Sequence, residues 1–156
     1  MTPAIDLLNK HGIVYVIHEY DHDPDSHSYG MEAATKLGLD PLRVFKTLVV
    51  ADEKNSLYVG MVPVSKQLNL KKLASVLKVK KLVMAEARRV ERVSGYVVGG
   101  VSPLGQKKRL KTVLDTGGVT YESIYISGGK RGLDLEISPQ DLVTLLDATE
   151  GDISTD

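Results

Sequence analysis

Apolar positions along the chain fall into two rhythms, a three-to-four-residue spacing that suits helices and denser β-branched runs that suit strands. The chain opens with Thr2 as a helix cap, Pro3 at the first helical position and Gly12 beyond the last turn. "IVYVIHEY" reads as a strand and "DHDPDSHSYG" as a loop; "MEAATKL" is then a helix closed by Gly38. After a turn at Asp40-Pro41, a strand carrying Lys46 pairs back through the Lys54-Asn55 turn with "LYVGMVPV". "LNLKKLASVL" is an amphipathic helix after Asn69, followed by a short strand at "KLVMA" and a helix at "EARRVERV". The last third is expected to be strand-rich: "GYVVGG", "RLKTVLD", "TYESIYIS" and "GLDLEIS". A final helix starts at "SPQDLVTLLD", with Ser138 as cap and Pro139 in its first turn. Helices and strands interleave early and strands follow one another late. The pattern predicts an α/β fold of the α+β type, a mixed sheet curled into a barrel and surrounded by helices. No linker, repeat or low-complexity stretch divides residues 1–156, so one domain is expected.

Within this pattern one residue is out of place. "RVFKTLVVAD", Arg43 to Asp52, is a run of strand formers with a lysine inside it. Alternation puts Lys46 on the face of Val44, Leu48 and Val50, while Phe45, Thr47 and Val49 occupy the other, so neither face reads as solvated. Lys46 either snorkels from a buried face, guards an edge strand against aggregation, or points into a cavity that wants a cation.

Composition narrows the chemistry. The 156 residues contain no cysteine, which excludes disulfides, thiolate metal sites and a cysteine nucleophile. No apolar run is long enough to cross a bilayer, and "MTPAIDLLNK" lacks the basic start of a signal peptide, so a cytoplasmic protein is expected. The formal net charge is zero but unevenly spread: −4 over residues 1–65, +11 over 66–131 and −7 over 132–156. The basic middle, with "QKKRLK" and "GKR", either forms a positive face for phosphates or a set of solvated helix faces.

Familiar site patterns fit poorly. Asp21, Asp23, Asp25 and Glu32 occupy calcium-loop positions, but Ser26 replaces the required glycine and a strand precedes the loop. His18 and His22 have zinc spacing outside a helix, so no metal site is expected. "GGVSPLGQKK" lacks the Lys-Ser/Thr of a P-loop, and "SGGKRG" fits no nucleotide fingerprint, although both loops could bring backbone amides to a phosphate or carboxylate. All four histidines lie in the first 27 residues, and no serine stands in a G-x-S-x-G elbow. Three functions remain open on these grounds: an enzyme without Ser-His machinery, an RNA-binding module using the basic middle, and a phosphate-binding protein built on the glycine loops.

"FKTLVV", "GYVVGGVSPLGQKKRLKTVLD" and "YISGGKRGLDLEISPQDL", with the opening "MTPAIDLL" and "YDHDPDSHSYG", together resemble the YbaK family of freestanding Cys-tRNA(Pro) deacylases. That family is related to the editing insertion domain of bacterial prolyl-tRNA synthetase. The resemblance runs from residue 1 to about residue 148. It implies trans-editing of cysteine mischarged onto tRNA(Pro), by ester cleavage assisted by the substrate's own thiol, with no cofactor. The implied partners are mischarged tRNA(Pro) and prolyl-tRNA synthetase, and neither a membrane nor DNA. The same fold acting on another amino acid, such as alanine, is the alternative. The lysine of the F-K-T-L motif is Lys46, which the resemblance makes central to catalysis. Tyr20, Phe45 and Thr47 would line the pocket, with Gly99, Gly100, Ser102 and Pro103 on one wall and Ser127, Gly128 and Gly129 on the facing loop. Asp134 would place a carboxylate near the substrate, or else point outward on the alternation Leu133-Leu135-Ile137. Lys107, Lys108, Arg109, Lys111, Lys130 and Arg131 are the expected phosphate contacts.

Overall fold

A computed structural model describes residues 1–156. Helix α1 spans Pro3–Lys10, and the Thr2 hydroxyl accepts from the Ile5 N–H as its cap. Strand β1 (Tyr15–Glu19) leads through a loop to α2 (Tyr29–Leu37), which Gly38 closes in the left-handed conformation. A hairpin follows, β2 (Phe45–Asp52) and β3 (Leu57–Pro63), turning at Asn55. A two-residue β4 (Gln67–Leu68) precedes α3 (Leu70–Leu77), which Asn69 caps by accepting from the Lys72 N–H. Next come β5 (Leu82–Met84), α4 (Ala87–Ser94), β6 (Lys111–Asp115), a 3-10 turn at Thr116–Thr120, β7 (Ile124–Lys130) and β8 (Leu133–Ile137). The chain ends with α5 (Pro139–Leu146), capped by Ser138, then β9 (Thr149–Gly151) and β10 (Ser154–Thr155).

The fold is mixed α/β, as the interleaved pattern predicts, but its strands divide among three sheets. One is five-stranded in the order β5-β2-β3-β6-β9, with β3, β6 and β9 parallel and β2 antiparallel to both its neighbours. The second is the antiparallel β1-β8-β7, and the third pairs β10 with β4. A single parallel bridge, Val44 to Tyr125, joins the larger two. No closed barrel is formed. "GYVVGG" is a correction to the expected strands, because it forms turns: Gly95 and Gly99 have positive φ, and the Gly100 N–H bonds back to the Val97 C=O.

Strand alternation distributes the apolar runs to two cores. Val49, Met61 and Leu114 face the three-stranded sheet, meeting Ile126 and Leu135, with Leu8 of α1 and Leu142 of α5 filling the ends. Their neighbours Val50, Val62 and Val113 face the other way, against Leu73 and Leu77 of α3 and Ile153. The central strands β2, β3 and β6 are therefore covered on both faces, which is why they read as near-continuous apolar runs. The C-terminal segment seals the second core. Buried Asp115 accepts there from the Ile153 N–H at 3.0 Å and the Ser154 hydroxyl at 3.1 Å.

The acidic loop before α2 is fastened by Glu32. Its carboxylate accepts from the Asp23 N–H at 2.8 Å, meets His22 Nδ1 at 2.6 Å and pairs with Lys36 at 3.1 Å. Burial alone would raise this carboxyl, but the three partners outweigh it and hold the pKa at about 2. His18 is drawn elsewhere, to Glu136 at 3.0 Å, so the two histidines with zinc spacing serve separate contacts. Glu32→Gln removes the charge and little volume. It is expected to cost about 1–2 kcal/mol of stability at neutral pH. The deficit should shrink as pH falls from about 4.5 to about 2, where the parent carboxylate also gains its proton. Denaturant unfolding of both proteins across that range measures it.

Candidate active site

β2 is bonded to β3 along its whole length, but β5 accompanies only its far end. Beyond the near end β7 meets the chain at Val44. A cavity of about 570 Å³ opens between these two contacts. This lies within the roughly 300–1,000 Å³ of small-ligand sites. Its floor is the β2 segment Phe45–Val49. Ser127 of β7 and Asp134 of β8 stand on one side, Met84 and Ala85 at the end of β5 on another, and Tyr29 and Met31 of α2 at the mouth.

Lys46 is half-buried on this wall, makes no ion pair, and has its pKa lowered by burial. A lysine on a protein surface is usually solvated, and one inside usually has a partner. This one has neither full hydration nor a carboxylate. Asp134 is its acidic counterpart. It lies directly between His18 and Ser127 across the sheet, is 7% exposed, and is pushed up to about 7 by burial, with the His18 charge opposing. Asp134 therefore lines the cavity rather than facing bulk solvent. Its neighbour Glu136 behaves in the opposite way. The Ser123 hydroxyl donates to it at 2.5 Å, His18 bonds it, and the bonds hold its pKa down. Tyr20 enters from the end of β1, and burial followed by the Asp134 charge raises its hydroxyl to about 12, so it remains a donor.

The far wall is set by close backbone approach. Gly99, at φ +89°, lies against the Tyr29 ring, where a Cβ would come within 2.7 Å. Arg131 locks this contact from the β7–β8 turn. Its guanidinium sits 4.7 Å from the Tyr29 centroid, and its Nε and terminal nitrogen donate to the Val98 C=O at 2.9 and 2.6 Å. Gly100 packs on the same turn, where a Cβ would meet Lys130 Cα at 2.7 Å.

Of the residues expected at a pocket, Tyr20, Phe45, Lys46, Thr47, Gly99, Ser127 and Asp134 line this cavity. Gly100, Ser102, Pro103, Gly128 and Gly129 lie behind the wall. Ser102 is fully buried, with its hydroxyl accepting from the Leu104 N–H, and Pro103 borders a separate groove beside His11 and Arg109. Gly128 accepts from the Thr2 hydroxyl at its carbonyl, and the Gly129 N–H donates to the Ser127 hydroxyl. The six basic residues are exposed and unpaired with any acid, but they do not form one cluster. Lys130 and Arg131 flank the cavity loop, Arg109 reaches the Leu145 C=O, and Lys111 belongs to β6. Tyr29, Met31, Met84 and Val90 also line the cavity without having been singled out. Tyr29 stands inside "YDHDPDSHSYG", so the motif carried a signal for it; Met84 and Val90 lie on short elements with no motif.

Residues 23–145 match the family model for the aminoacyl-tRNA editing domain. A curated protein of Enterococcus faecalis (strain ATCC 700802 / V583), EbsC, described as a candidate Cys-tRNA(Pro)/Cys-tRNA(Cys) deacylase, is 34% identical over 154 residues. The match covers 99% of this chain and 93% of that protein. Among solved structures, the hypothetical protein APE2540 superposes with a TM-score of 0.87 at 27% identity, over 98% of this chain and 99% of that one. A candidate trans-editing enzyme for prolyl-tRNA synthetase superposes with a TM-score of 0.83 at 25% identity, over 99% and 96%. With its cavity, its lone lysine and this extent of agreement, the chain belongs to the aminoacyl-tRNA editing domain family.

Proposed function

We propose that this protein is a trans-editing deacylase that clears mischarged Cys-tRNA(Pro), with the cavity beside β2 as its active site and residues 1–156 as one editing domain. The observation that carries the reading is Lys46, a half-buried cation with no counter-ion inside a cavity sized for an aminoacyl ester. Such a group is costly to a fold that does not use it. The family and the relative described as a Cys-tRNA(Pro)/Cys-tRNA(Cys) deacylase support the substrate class.

No cysteine is present, and although His27, Ser28 and Ser127 all line the cavity, no hydrogen bond joins the histidine to either serine. The substrate supplies a nucleophile of its own. A cysteinyl thiol, with an ordinary pKa of about 8.5, is a few per cent ionised at neutral pH. Its thiolate attacks its own carbonyl carbon, the C–O bond to ribose breaks, and the ribose oxygen takes a proton as a cyclic thioester leaves. A well-held internal group gains roughly 7–11 kcal/mol over a bimolecular reaction. The protein then has to hold the ester and stabilise the developing oxyanion, a role suited to Lys46. Tyr20, Phe45, Thr47, Gly99, Ser127 and Asp134 complete the substrate wall. Gly100, Ser102, Pro103, Gly128 and Gly129 support it from behind. Lys107, Lys108, Arg109, Lys111, Lys130 and Arg131 are proposed as phosphate contacts for the tRNA body, with Arg131 also holding Tyr29. Prolyl-tRNA synthetase, which produces the mischarged species, is the proposed partner, and the cytoplasm the proposed compartment.

Single-turnover hydrolysis of Cys-, Ser- and Ala-tRNA(Pro) tests the reaction. The cysteinyl ester should react far faster than the other two; equal rates would overturn thiol assistance and point to a water activated by the protein. Lys46→Ala should lower the cysteinyl rate by roughly 100-fold or more with an unchanged melting curve. A merely structural lysine would give the reverse result, full turnover with altered stability.

Asp134 gives a pH signature. The native protein keeps on Asp134 a proton that the unfolded chain releases near 3.8, and sheds it only near 7. The native state therefore binds more protons through that window, and this residue makes stability fall as pH rises from about 4 to about 7. Asp134→Asn cannot ionise. Its stability relative to the parent should climb across the same window and stay level above it, as melting temperatures between pH 4 and 8 would record. A constant difference would mean that Asp134 ionises near its ordinary value.

A further inference from the structure

Val44 through Val49 all border the cavity without a gap. Successive side chains of a strand point to opposite faces, so an unbroken run on one cavity means that the strand presents its edge. The direction of the backbone bonds identifies that edge. Even-numbered residues bond toward β3, as the Asp52 N–H to the Ser56 C=O and the Val64 N–H to the Val44 C=O show. Odd-numbered residues point the other way. There the Ala85 N–H donates to the Val49 C=O at 3.0 Å and the Tyr125 N–H to the Arg43 C=O at 2.9 Å. Between these two bonds, the Thr47 N–H and C=O face the gap with no strand beside them. No loop or side chain takes them. The Thr47 hydroxyl is buried as well, and it is the one buried side-chain polar atom in the protein without a hydrogen-bond partner.

We propose that the aminoacyl group docks on this bare edge of β2 as a one-residue strand, its carbonyl oxygen accepting from the Thr47 N–H and its α-ammonium donating to the Thr47 C=O. The inference rests on the deacylase reading and adds how the amino acid is held. In a pair that exchanges both bonds, the two side chains lie on the same face. The substrate side chain then stands beside the Thr47 hydroxyl, and its size is limited by Val49, Val90 and Val101, which belong to the core on that face. Lys46 reaches the same ester carbonyl from the opposite face and shares the developing oxyanion with the Thr47 N–H. The main chain reads the α-amino acyl unit common to every amino acid, and the Thr47 face reads the side chain.

The probe is 3′-cysteinylamino-3′-deoxyadenosine, whose amide resists hydrolysis, and the readout is amide hydrogen exchange followed by NMR on the whole protein. In the free protein the Thr47 amide should exchange readily while Lys46 and Leu48, bonded to β3, are protected. Saturating probe should slow Thr47 exchange at least about tenfold. Thr47→Val keeps the shape and removes an unpaired hydroxyl. It should melt higher than the parent and bind the probe about tenfold more weakly, with Thr47→Ser recovering the affinity. Shifts around Lys46 and Asp134 with the Thr47 amide unprotected would overturn the edge docking and leave the deacylase reading standing. A protein that neither binds the probe nor cleaves Cys-tRNA(Pro) would overturn both.

Discussion

β2 is bonded on one side along its whole length and on the other only near its two ends, and the rest of the molecule is arranged around that asymmetry. A strand buried on both faces normally has its backbone groups satisfied on both edges, because unpaired amides inside a protein are costly. Here β5 stops level with Val49, and β7 touches at Val44. The interval is too short for another strand to enter and long enough for a ligand. Two sides of the cavity are attached to these flanking contacts. Asp134 and Ser127 come with the β7–β8 pair, Ala85 and Val90 with the end of β5 and α4. The site is a missing piece of sheet, enclosed by the elements that interrupt it.

Electrostatics follow the same division between what the fold uses and what it leaves open. Glu32 and Glu136 are provided with donors that more than repay their burial, and each fastens a loop or a strand pair. Lys46, Asp134 and the Thr47 hydroxyl share the cavity and receive no partner that compensates them. Stability is withheld at the positions a ligand would complete. A ligand with an acceptor for Lys46 and a backbone-like amide or ester satisfies groups that water reaches poorly, and this favours its binding over hydration of an empty site.

Much of the scaffold was legible because it rests on local chemistry. Thr2-Pro3, Asn69 and Ser138-Pro139 mark helix starts through short-range bonds, and Gly38 marks a helix end through its left-handed backbone. The β2–β3 hairpin was legible from two apolar runs around Asn55. "GYVVGG" misled because Tyr96, Val97 and Val98 have strand propensity, while the backbone there turns to bring Gly99 under Tyr29 and Gly100 onto Lys130. That packing involves residues some 30 to 70 positions away, beyond any local pattern. How the sheets join was not legible for a similar reason. Strand count and order of appearance do not say that β8 bonds back to β1 in a second sheet that meets the larger one at a single bridge. Within the site, Lys46 was visible as a charge where the pattern called for none, whereas Met84 and Val90 are ordinary apolar residues that gain their role from position alone.

Recognition by a strand edge also explains how motif and specificity can be separate. A main-chain donor and acceptor are present at almost every residue, so a site that uses them needs no particular side chain to hold an amino acid. What the sequence must then encode is the interruption itself, through the bulge between Ser127 and Lys130, the short β5 and the glycine that lets Tyr29 close the wall. Discrimination between amino acids falls to the few side chains on one face of β2. An added methylene in such a hydrophobic pocket is worth only about 1–3 kcal/mol, so shape alone discriminates weakly. A reaction that requires the substrate's own thiol adds a chemical filter that pocket size cannot supply, and it allows the binding surface to remain permissive.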